Sequence, residues 1–366
     1  MHKLVIATAL VSVPSYAANP GQGQAPSVDV ATVFRVSPVA TLPNPWAMAV
    51  LPDSSFLVTD KSGALRTVAT DGRVSSPIPG VPVVKFEGQG GLLDVAIHPD
   101  FATNRLVYLS FAEAGLNGTS GLALGRGKYV NGRLQSFAVI WRDRSKTGGG
   151  HFSGRIVFAP DKTLFLTSGD RQQATPAQVL SSTQGKVLHM TAGGNPAPDN
   201  PNPKSRVWTL GHRNPLGIAF DASGTLWTHE HGPQGGDEIN VIERNTNYGW
   251  PLVSNGRNYG SPTDDIPNHD ARPEFNAPET WWDPSIAPSG MIIYSGSVFP
   301  QFAGNMFLGG LASQALIRVT LTGKTASETV RYAMGARIRE VEQGPDGAIW
   351  VLEDGSTGRL LRLTPR

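Results

Sequence analysis

The sequence predicts an all-β fold, a six-bladed β-propeller with four-stranded antiparallel blades. Three observations support this prediction. A turn containing Pro, Asp or both, preceded by an apolar residue and followed by a strand-like run, occurs six times. The chain contains 42 glycines and 29 prolines, as expected for many short strands joined by tight turns. No window shows the 3.6-residue periodicity of a long helix.

The six repeats follow one another through most of the 366 residues. Their turns lie at residues 50–53, 98–100, 159–161, 220–221, 299–300 and 344–346. Strand-built repeats of roughly 40–50 residues indicate a propeller, in which loops from every blade converge on one central channel. The longer intervals indicate insertions, and residues 254–280 are predicted to form an elaborated surface loop. A large β-sandwich, the rival architecture, does not explain six similar turns.

The first residues predict export. Residues 1–17 combine a basic head, a ten-residue apolar run too short to span a bilayer, and small residues before a cleavage site after Ala17. A buried first strand or an uncleaved anchor is the alternative. We expect a signal peptide at 1–17, a flexible leader at 18–30 and a single propeller domain at 31–366, in a periplasmic or secreted protein. The absence of cysteine fits export without a disulfide framework.

Composition limits the partners. A formal net charge of +2 is too small to indicate nucleic-acid binding. No segment after the first is apolar and long enough to predict a membrane span. We expect a monomer or a homodimer that acts on a small molecule.

His151 is the first candidate for chemistry. It follows three glycines, so a flat ligand could lie close to its imidazole. A neutral histidine is the usual group for removing a hydroxyl proton near neutral pH. Asp170 lies across a predicted hairpin, where its carboxylate could accept the other ring N–H. A hydrogen-bonded loop histidine and an unrelated turn aspartate fit the same residues.

The stretch from 211 to 240 contains two polar turns on either side of a strand-like run. Arg213 and Asn214 lie in the first turn, where a guanidinium suits a carboxylate or a developing oxyanion, or pairs with a neighbouring aspartate. In the second turn, Gly232 and Pro233 offer carbonyl oxygens of the kind that calcium binds. The spacing is not that of an EF-hand, and a plain turn explains it equally.

Three further polar residues are candidates for ligand binding. Arg337 and Arg339 alternate along a predicted strand and therefore share one face, which suggests an anion between them or a solvated edge. Gln89 is flanked by glycines in a predicted loop.

Seven motifs, taken in order, resemble the soluble aldose sugar dehydrogenases that depend on pyrroloquinoline quinone (PQQ), a family that includes the soluble glucose dehydrogenases. The resemblance covers about residues 40–362 and implies a six-bladed propeller that binds PQQ and Ca²⁺. The motifs are GQGGLLDVAIHPDF, GGGHFSGRIVF, LTSGD, GHRNPLGIAFD, EHGPQGGDEIN, NYGWP and APSGM.

The resemblance also implies roles for individual residues. His151 matches the base that takes the proton from the sugar C1 hydroxyl, and Asp170 matches the acid that orients it. Gln89, Arg213 and Asn214 match contacts of the quinone, with Arg213 beside its C5 carbonyl, and Arg337 and Arg339 match the pair that binds the cofactor carboxylates. The carbonyls of Gly232 and Pro233 match ligands of the catalytic calcium. Glu238 and Tyr248 match ligands of a second, structural calcium that some members have.

The chain departs from this pattern at two places. Leu311, Ala312 and Ser313 stand where the soluble glucose dehydrogenases have a cofactor-binding lysine after leucine. One carboxylate contact is therefore missing or supplied differently. His231 and the pair Gly235–Gly236 also differ from the glucose enzymes, next to the expected calcium ligands.

The expected reaction is oxidation of an aldose at C1 to the lactone. Hydride passes to the quinone, His151 acts as the base, Ca²⁺ polarises the cofactor, and an external acceptor takes the electrons. Two other functions stay open. A calcium-dependent propeller lactonase or hydrolase needs carboxylates and asparagines from several blades around a channel metal. A non-catalytic propeller would bind glycans or a protein partner.

Overall fold

The fold is a ring of six small antiparallel sheets around a central channel, which confirms the predicted six-bladed propeller. The computed structural model describes residues 25–366. The signal peptide expected at 1–17 and the first part of the expected leader lie outside the described residues. Within residues 25–366 no helix has the length and apolar character needed to cross a membrane.

Each blade is a sheet whose strands follow one another along the chain, from the channel outward. After β1 (Ser27–Asp29) and β2 (Phe34–Leu42), blade 1 contains β3 (Pro45–Val50), β4 (Phe56–Asp60) and β5 (Ala64–Val68), and blade 2 contains β6 (Leu92–Ile97), β7 (Leu106–Ala114), β8 (Ser120–Val130) and β9 (Arg133–Arg142). Blade 3 contains β10 (Ser153–Phe158), β11 (Leu164–Ser168), β12 (Lys186–Met190) and β13 (Val207–Leu210), and blade 4 contains β14 (Pro215–Phe220), β15 (Leu226–Glu230), β17 (Asp237–Val241) and β19 (Thr280–Trp282), with the small pair β16 (Gln234–Gly235) and β18 (Gly256–Arg257) beside it. Blade 5 contains β20 (Pro288–Ile293), β21 (Met306–Gly310), β22 (Ala315–Thr322) and β23 (Thr325–Ala333), and blade 6 contains β24 (Ile338–Gln343), β25 (Ile349–Glu353) and β26 (Gly358–Pro365).

Within residues 25–366, helical structure is confined to single turns. They are the short helix α1 (Phe101–Asn104) and 3-10 turns at Val30–Thr32, Leu116–Gly118, Thr175–Gln178, His269–Ala271 and Pro300–Phe302.

The six turns found in the sequence all join the first strand of a blade to its second strand. In four of them an aspartate oxygen accepts the backbone N–H two residues on, at 2.8–3.1 Å, which fixes the turn locally. The aspartates are Asp53, Asp161, Asp221 and Asp346. A local side-chain preference therefore recurs as a structural repeat.

The ring closes by pairing the two ends of the chain. β2 lies antiparallel to β26, so blade 6 combines three late strands with one early strand. The first strands of neighbouring blades contact one another in a complete circle, from β3 through β6, β10, β14 and β20 to β24 and back to β3.

Two details differ from the prediction. Residues 27–29 of the expected leader form β1, which pairs in parallel with β23 on the outer edge of blade 5. Blade 1 has three regular strands. Residues 74–78 follow its outer edge, where Ser75 N–H donates to Thr67 and Ile78 N–H donates to Leu65.

All six first strands are irregular at the same end. The register between the first and second strand shifts near the start of β3, β6, β10, β14, β20 and β24. A β-bulge breaks the alternation of side chains and re-aims them, and bulges are common next to active sites. The polar residues at these strand starts therefore come to surround one end of the channel.

A buried ion cluster spans the middle of the channel. Arg155 on β10 contacts the carboxylates of Asp94 on β6, at 3.4 Å, and Glu340 on β24, and its Nε donates to the carbonyl of Leu216 on β14 at 2.8 Å. Its guanidinium lies over the ring of Trp46 on β3, 4.1 Å from the centroid. One side chain thus ties together the first strands of five blades.

Replacing Arg155 with methionine is expected to lower the free energy of unfolding by about 3–5 kcal/mol, because it leaves two buried carboxylates without their cation. Burial raises the pKa of Glu340 to about 7, above its unfolded value, and Arg155 opposes that rise. The stability that protonated Glu340 provides is present at low pH and is lost as pH rises through that pKa. In urea denaturation, the substitution should therefore lower the free energy of unfolding more at pH 7.5 than at pH 5.5. A decrease below about 1 kcal/mol at both pH values would contradict the stabilising role of the ion cluster.

Candidate active site

One end of the channel opens into a cavity of about 170 Å³, which we call the site cavity. It lies at the bulged ends of the first strands, and blades from around the ring contribute side chains to it. All of its charged lining residues are cationic. Its polar lining residues are Lys61, Gln89, Ser153, His231, Arg337 and Arg339.

His151 and Asp170 form a hydrogen-bonded pair close to this cavity. His151 Nδ1 lies 2.6 Å from Asp170 Oδ1, and both side chains are buried. An ionised aspartate can only accept a hydrogen bond, so the contact places the ring proton on Nδ1. His151 Nε2 bonds to no atom of residues 25–366 and keeps its lone pair. The hydrogen bond expected from the sequence is present.

The backbone at His151 is held in an uncommon conformation. His151 has φ +47° and Ser153 has φ +59°, in the left-handed region that disfavours L-residues. Gln89 stabilises it, because its Oε1 accepts the His151 N–H at 2.7 Å. Gly169 permits the close approach of the two strands, since a Cβ there would lie 2.2 Å from the His151 carbonyl oxygen. Such strain is typical of functional sites.

Burial sets the protonation of the pair. It lowers the pKa of His151 below its ordinary value, opposed by the hydrogen bond to Asp170. For Asp170, burial acts to raise the pKa, but the hydrogen bonds from His151 and Trp250 outweigh it, and the pKa lies below its ordinary value. A neutral imidazole beside an ionised carboxylate is the arrangement of a general base.

Trp250 is a site residue that the sequence did not single out. Its Nε1 donates to Asp170 Oδ2 at 2.8 Å, and its ring lies 5.3 Å from the guanidinium carbon of Arg213. Asp170 is therefore held on both oxygens. The NYGWP motif that contains Trp250 is one of the seven motifs described above, but no pattern in the chain predicts that this indole reaches blade 3.

Glu230 organises the turn that carries Arg213 and Asn214. Its Oε1 is 2.7 Å from His212 Nδ1, and its Oε2 accepts the backbone N–H groups of Arg213 and Asn214 at 2.5 and 3.2 Å. A buried carboxylate at the end of β15 thus holds the start of β14 in place. The role of Glu230 was also missed in the sequence.

Arg213 and Asn214 each keep a buried donor without a partner among residues 25–366. Arg213 Nη1 donates to the carbonyls of His231 and Gly232 at 3.2 and 2.6 Å, while its buried Nε has no partner in this part of the chain. Asn214 Oδ1 accepts from Ser153 Oγ at 3.1 Å, which leaves its buried Nδ2 without a partner. Unsatisfied buried donors are rare, and here they fit the oxygen atoms of a ligand.

One of the two predicted calcium ligands, the Gly232 carbonyl, is engaged in another contact. The Gly232 carbonyl accepts from Arg213, and the Gly232 N–H donates to Asp237 Oδ1 at 3.0 Å. Among residues 25–366 no group of three or more His, Asp or Glu side chains is placed to hold a metal ion. Gly232 and Pro233, which is also buried, offer oxygens of the type calcium prefers, but the ligand set stays a prediction.

Glu238 and Tyr248, the expected ligands of a second calcium, are buried within blade 4. Glu238 Oε1 accepts from Asn240 at 2.9 Å. The Tyr248 hydroxyl donates to the Val241 carbonyl at 2.6 Å and accepts the Glu243 N–H at 3.0 Å. The phenol oxygen is therefore occupied by backbone groups, and the role of both residues in metal binding is untested.

Arg337 and Arg339 lie on the same side, as predicted, and share one carboxylate. Each Nε is 2.9 Å from a different oxygen of Asp354. Lys61, which was not singled out in the sequence, lines the same cavity, and its Nζ donates to the Gly88 carbonyl at 3.0 Å. The site cavity therefore carries an excess of positive charge, because three cations, Lys61, Arg337 and Arg339, face the single carboxylate of Asp354.

The donor set fits PQQ better than it fits a metal alone. PQQ carries three carboxylates and an ortho-quinone, so it needs cations at one end and hydrogen-bond donors at the other. Lys61, Arg337 and Arg339 offer the cations, and the free donors of Arg213 and Asn214 offer the hydrogen bonds. Burial lowers the pKa of His231 to about 3, so this residue adds no charge.

The chain is similar to known sugar dehydrogenases over most of its length. Residues 42–362 match the model of the glucose/sorbosone dehydrogenase family. The chain is 40% identical over 341 residues to the aldose sugar dehydrogenase YliI of Escherichia coli (strain K12), covering 89% of this chain and 91% of that protein. A crystal structure of a glucose dehydrogenase superposes with a TM-score of 0.86 at 42% identity, covering 90% and 99% of the two chains. The PQQ-bound aldose sugar dehydrogenase of Streptomyces coelicolor superposes with a TM-score of 0.77 at 30% identity, covering 91% and 98%.

Proposed function

The chain belongs to the glucose/sorbosone dehydrogenase family, and from this premise we propose that it is a PQQ-dependent aldose sugar dehydrogenase. It oxidises the sugar at C1 to the lactone and transfers the electrons to an external acceptor. The observation that carries the proposal is the His151–Asp170 pair beside a cavity whose charged lining residues are all cationic.

His151 removes the proton from the sugar. Asp170 accepts the Nδ1–H and keeps the Nε2 lone pair available, so Nε2 takes the proton of the C1 hydroxyl as the C1–H bond breaks. Asp170 also stabilises the imidazolium that forms. When bound, PQQ supplies the ortho-quinone that accepts the two electrons and the hydrogen removed from C1.

Arg213 and Asn214 stabilise negative charge where it develops. Their unpartnered Nε and Nδ2 donors are fixed before the reaction, since Glu230 holds the backbone of both residues. Donors placed in advance lose no free energy to reorganisation, and a buried site strengthens their effect. The ring of Tyr259 lies 5.8 Å from the Arg213 guanidinium carbon and is largely exposed.

Calcium is the second proposed cofactor, bound by the carbonyl oxygens of Gly232 and Pro233. Chelation with EDTA followed by desalting is expected to lower PQQ-dependent turnover about tenfold or more, because the Lewis acid no longer polarises the quinone. Added Ca²⁺ should restore the rate better than Mg²⁺, which accepts flexible carbonyl sites reluctantly. Full activity after chelation, with metal analysis showing less than one equivalent of calcium, would exclude this metal.

Replacing Trp250 with phenylalanine is expected to reduce kcat about tenfold with little change in KM for the sugar, because a hydrogen bond to a charged group is lost. A less stabilised Asp170 holds the imidazolium proton more strongly, so the acid limb of the pH–rate profile should move to higher pH. Trp208→Phe is the matched control, since its indole N–H has no partner. Equal profiles for the two variants would show that the Trp250 contact has no positioning role.

One experiment separates the candidate functions. The purified protein is mixed with PQQ, Ca²⁺, an aldose and a dye that accepts electrons. Dye reduction that requires both PQQ and the sugar supports the dehydrogenase. Lactone hydrolysis without PQQ would support the hydrolase instead, and neither activity would leave a binding protein.

A further inference from the structure

Lys61 is the third cation of the site cavity. It follows β4 in blade 1, whereas Arg337 and Arg339 belong to the start of blade 6. The two arginines share the carboxylate of Asp354. Lys61 forms no ion pair of 4 Å or less with any carboxylate of residues 25–366. Its only hydrogen-bond partner among them is the Gly88 carbonyl.

The backbone of Lys61 is fixed on both sides. Its N–H donates to the Asn44 carbonyl at 2.9 Å, and its carbonyl accepts the Leu92 N–H at 3.0 Å. Gly91 packs against that carbonyl so closely that a Cβ would lie 2.1 Å from the oxygen. The ammonium group is therefore presented from a rigid position at the junction of blades 1 and 2, with two of its three donor hydrogens free of protein partners.

The contacts of Lys61 connect it to the reacting end of the site. Gly88, its acceptor, precedes Gln89, and Gln89 holds the backbone of His151. In blade 5, two blades from Lys61 around the ring, the segment after β21 presents Leu311, whose carbonyl accepts from Arg337, followed by the exposed Ala312. No charged side chain comes from residues 311–313, where the soluble glucose dehydrogenases carry lysine.

We propose that Lys61 binds a carboxylate of the bound PQQ and supplies, from blade 1, the cation that is absent at Ala312 in blade 5. This inference rests on the proposed function. Lys61, Arg337 and Arg339 have one nearby carboxylate among residues 25–366, that of Asp354. The site therefore keeps an excess of positive charge, which a tricarboxylate ligand neutralises.

The test is the equilibrium binding of PQQ to cofactor-free protein, followed by quenching of tryptophan fluorescence and by equilibrium dialysis. Lys61→Gln is expected to raise the Kd about 10- to 100-fold, as for the loss of a charge-assisted hydrogen bond. Lys61→Arg should keep most of the affinity. Adding Ala312→Lys to Lys61→Gln should recover part of it.

Lys85→Gln is the matched control. Lys85 also donates to a backbone carbonyl, that of Gly118 at 2.5 Å, and lies on the segment between β5 and β6, but it does not line the cavity. This variant should bind PQQ as the unmodified protein does. Circular dichroism and melting temperatures without PQQ should be alike for all variants.

The trimethyl ester of PQQ distinguishes charge recognition from a change of shape. It keeps the quinone but carries no carboxylate, so Lys61→Gln should bind it as well as the unmodified protein does. Equal weakening for PQQ and its ester, or unchanged PQQ binding in Lys61→Gln, would overturn the inference while the proposed function stands. Failure of the unmodified protein to bind PQQ would instead refute the proposed function.

Discussion

Replacing His151 with alanine is expected to lower kcat for aldose oxidation about 10²–10⁴-fold, because the group that takes the C1 hydroxyl proton is lost. The variant should still fold and bind PQQ, since the imidazole's hydrogen bonds are limited to Asp170 and the neighbouring backbone is held by Gln89. Stopped-flow measurement of cofactor reduction reports the chemical step directly.

Two further measurements separate loss of the base from loss of structure. His151→Gln fills much of the same space but cannot take up the proton, so it should be as inactive as the alanine variant. Added imidazole should partly restore the alanine variant by occupying the vacated space. Near-normal turnover in either variant would remove His151 from the mechanism.

The pH dependence follows from the same residue. His151 must be neutral to act as a base, and burial lowers its pKa below the ordinary 6.5. The neutral form therefore persists to lower pH than for a free imidazole. We expect kcat/KM of the unmodified protein to fall on the acid side only below pH 6.5.

Asp170→Asn is the second large effect, expected to lower kcat by as much as about 10⁴-fold, the loss associated with the wrong tautomer in comparable histidine–carboxylate pairs. An amide can donate to Nδ1 and thereby place the ring proton on Nε2, where it blocks proton removal. The variant also loses the charge that raises the pKa of His151, so its residual acid limb should move to lower pH. This direction is opposite to that expected for Trp250→Phe.

Asp161→Asn serves as the matched control for Asp170→Asn. Asp161 lies in the turn at the other end of the β10–β11 hairpin, where it accepts the N–H and hydroxyl of Thr163. The Asp161→Asn variant should have a slightly altered free energy of unfolding and an unchanged turnover. A pH profile and rate for Asp170→Asn that match those of Asp161→Asn would contradict the orienting role of Asp170.

The fold could be predicted because its signals are local. Each aspartate turn is fixed by contacts two residues apart, and the strand that follows is an apolar run of ordinary length. The pairing of Ser27–Asp29 with β23 could not be predicted, because it depends on a partner about 300 residues away. The sequence also contains no local signal that blade 1 has three regular strands rather than four.

The site was predicted less evenly. The contact between His151 and Asp170 follows from their places on one hairpin, which the chain order reveals. Lys61, Trp250 and Glu230 act across blades or behind a turn, and each stands in a sequence context that suits an ordinary surface or core residue. Asp354, the carboxylate shared by Arg337 and Arg339, was missed for the same reason.

The pairing of β2 with β26 has a consequence for assembly. Phe34 lies opposite Pro365, so during synthesis β2 must wait for a partner strand that lies about 330 residues farther along the chain. The blades on either side of the closure contact each other through β3 and β24, and Trp46 on β3 and Arg339 on β24 both line the site cavity. Deleting β26 would leave β2 without its partner strand, and is therefore expected to destabilise the closure between blades 6 and 1 that carries these two residues.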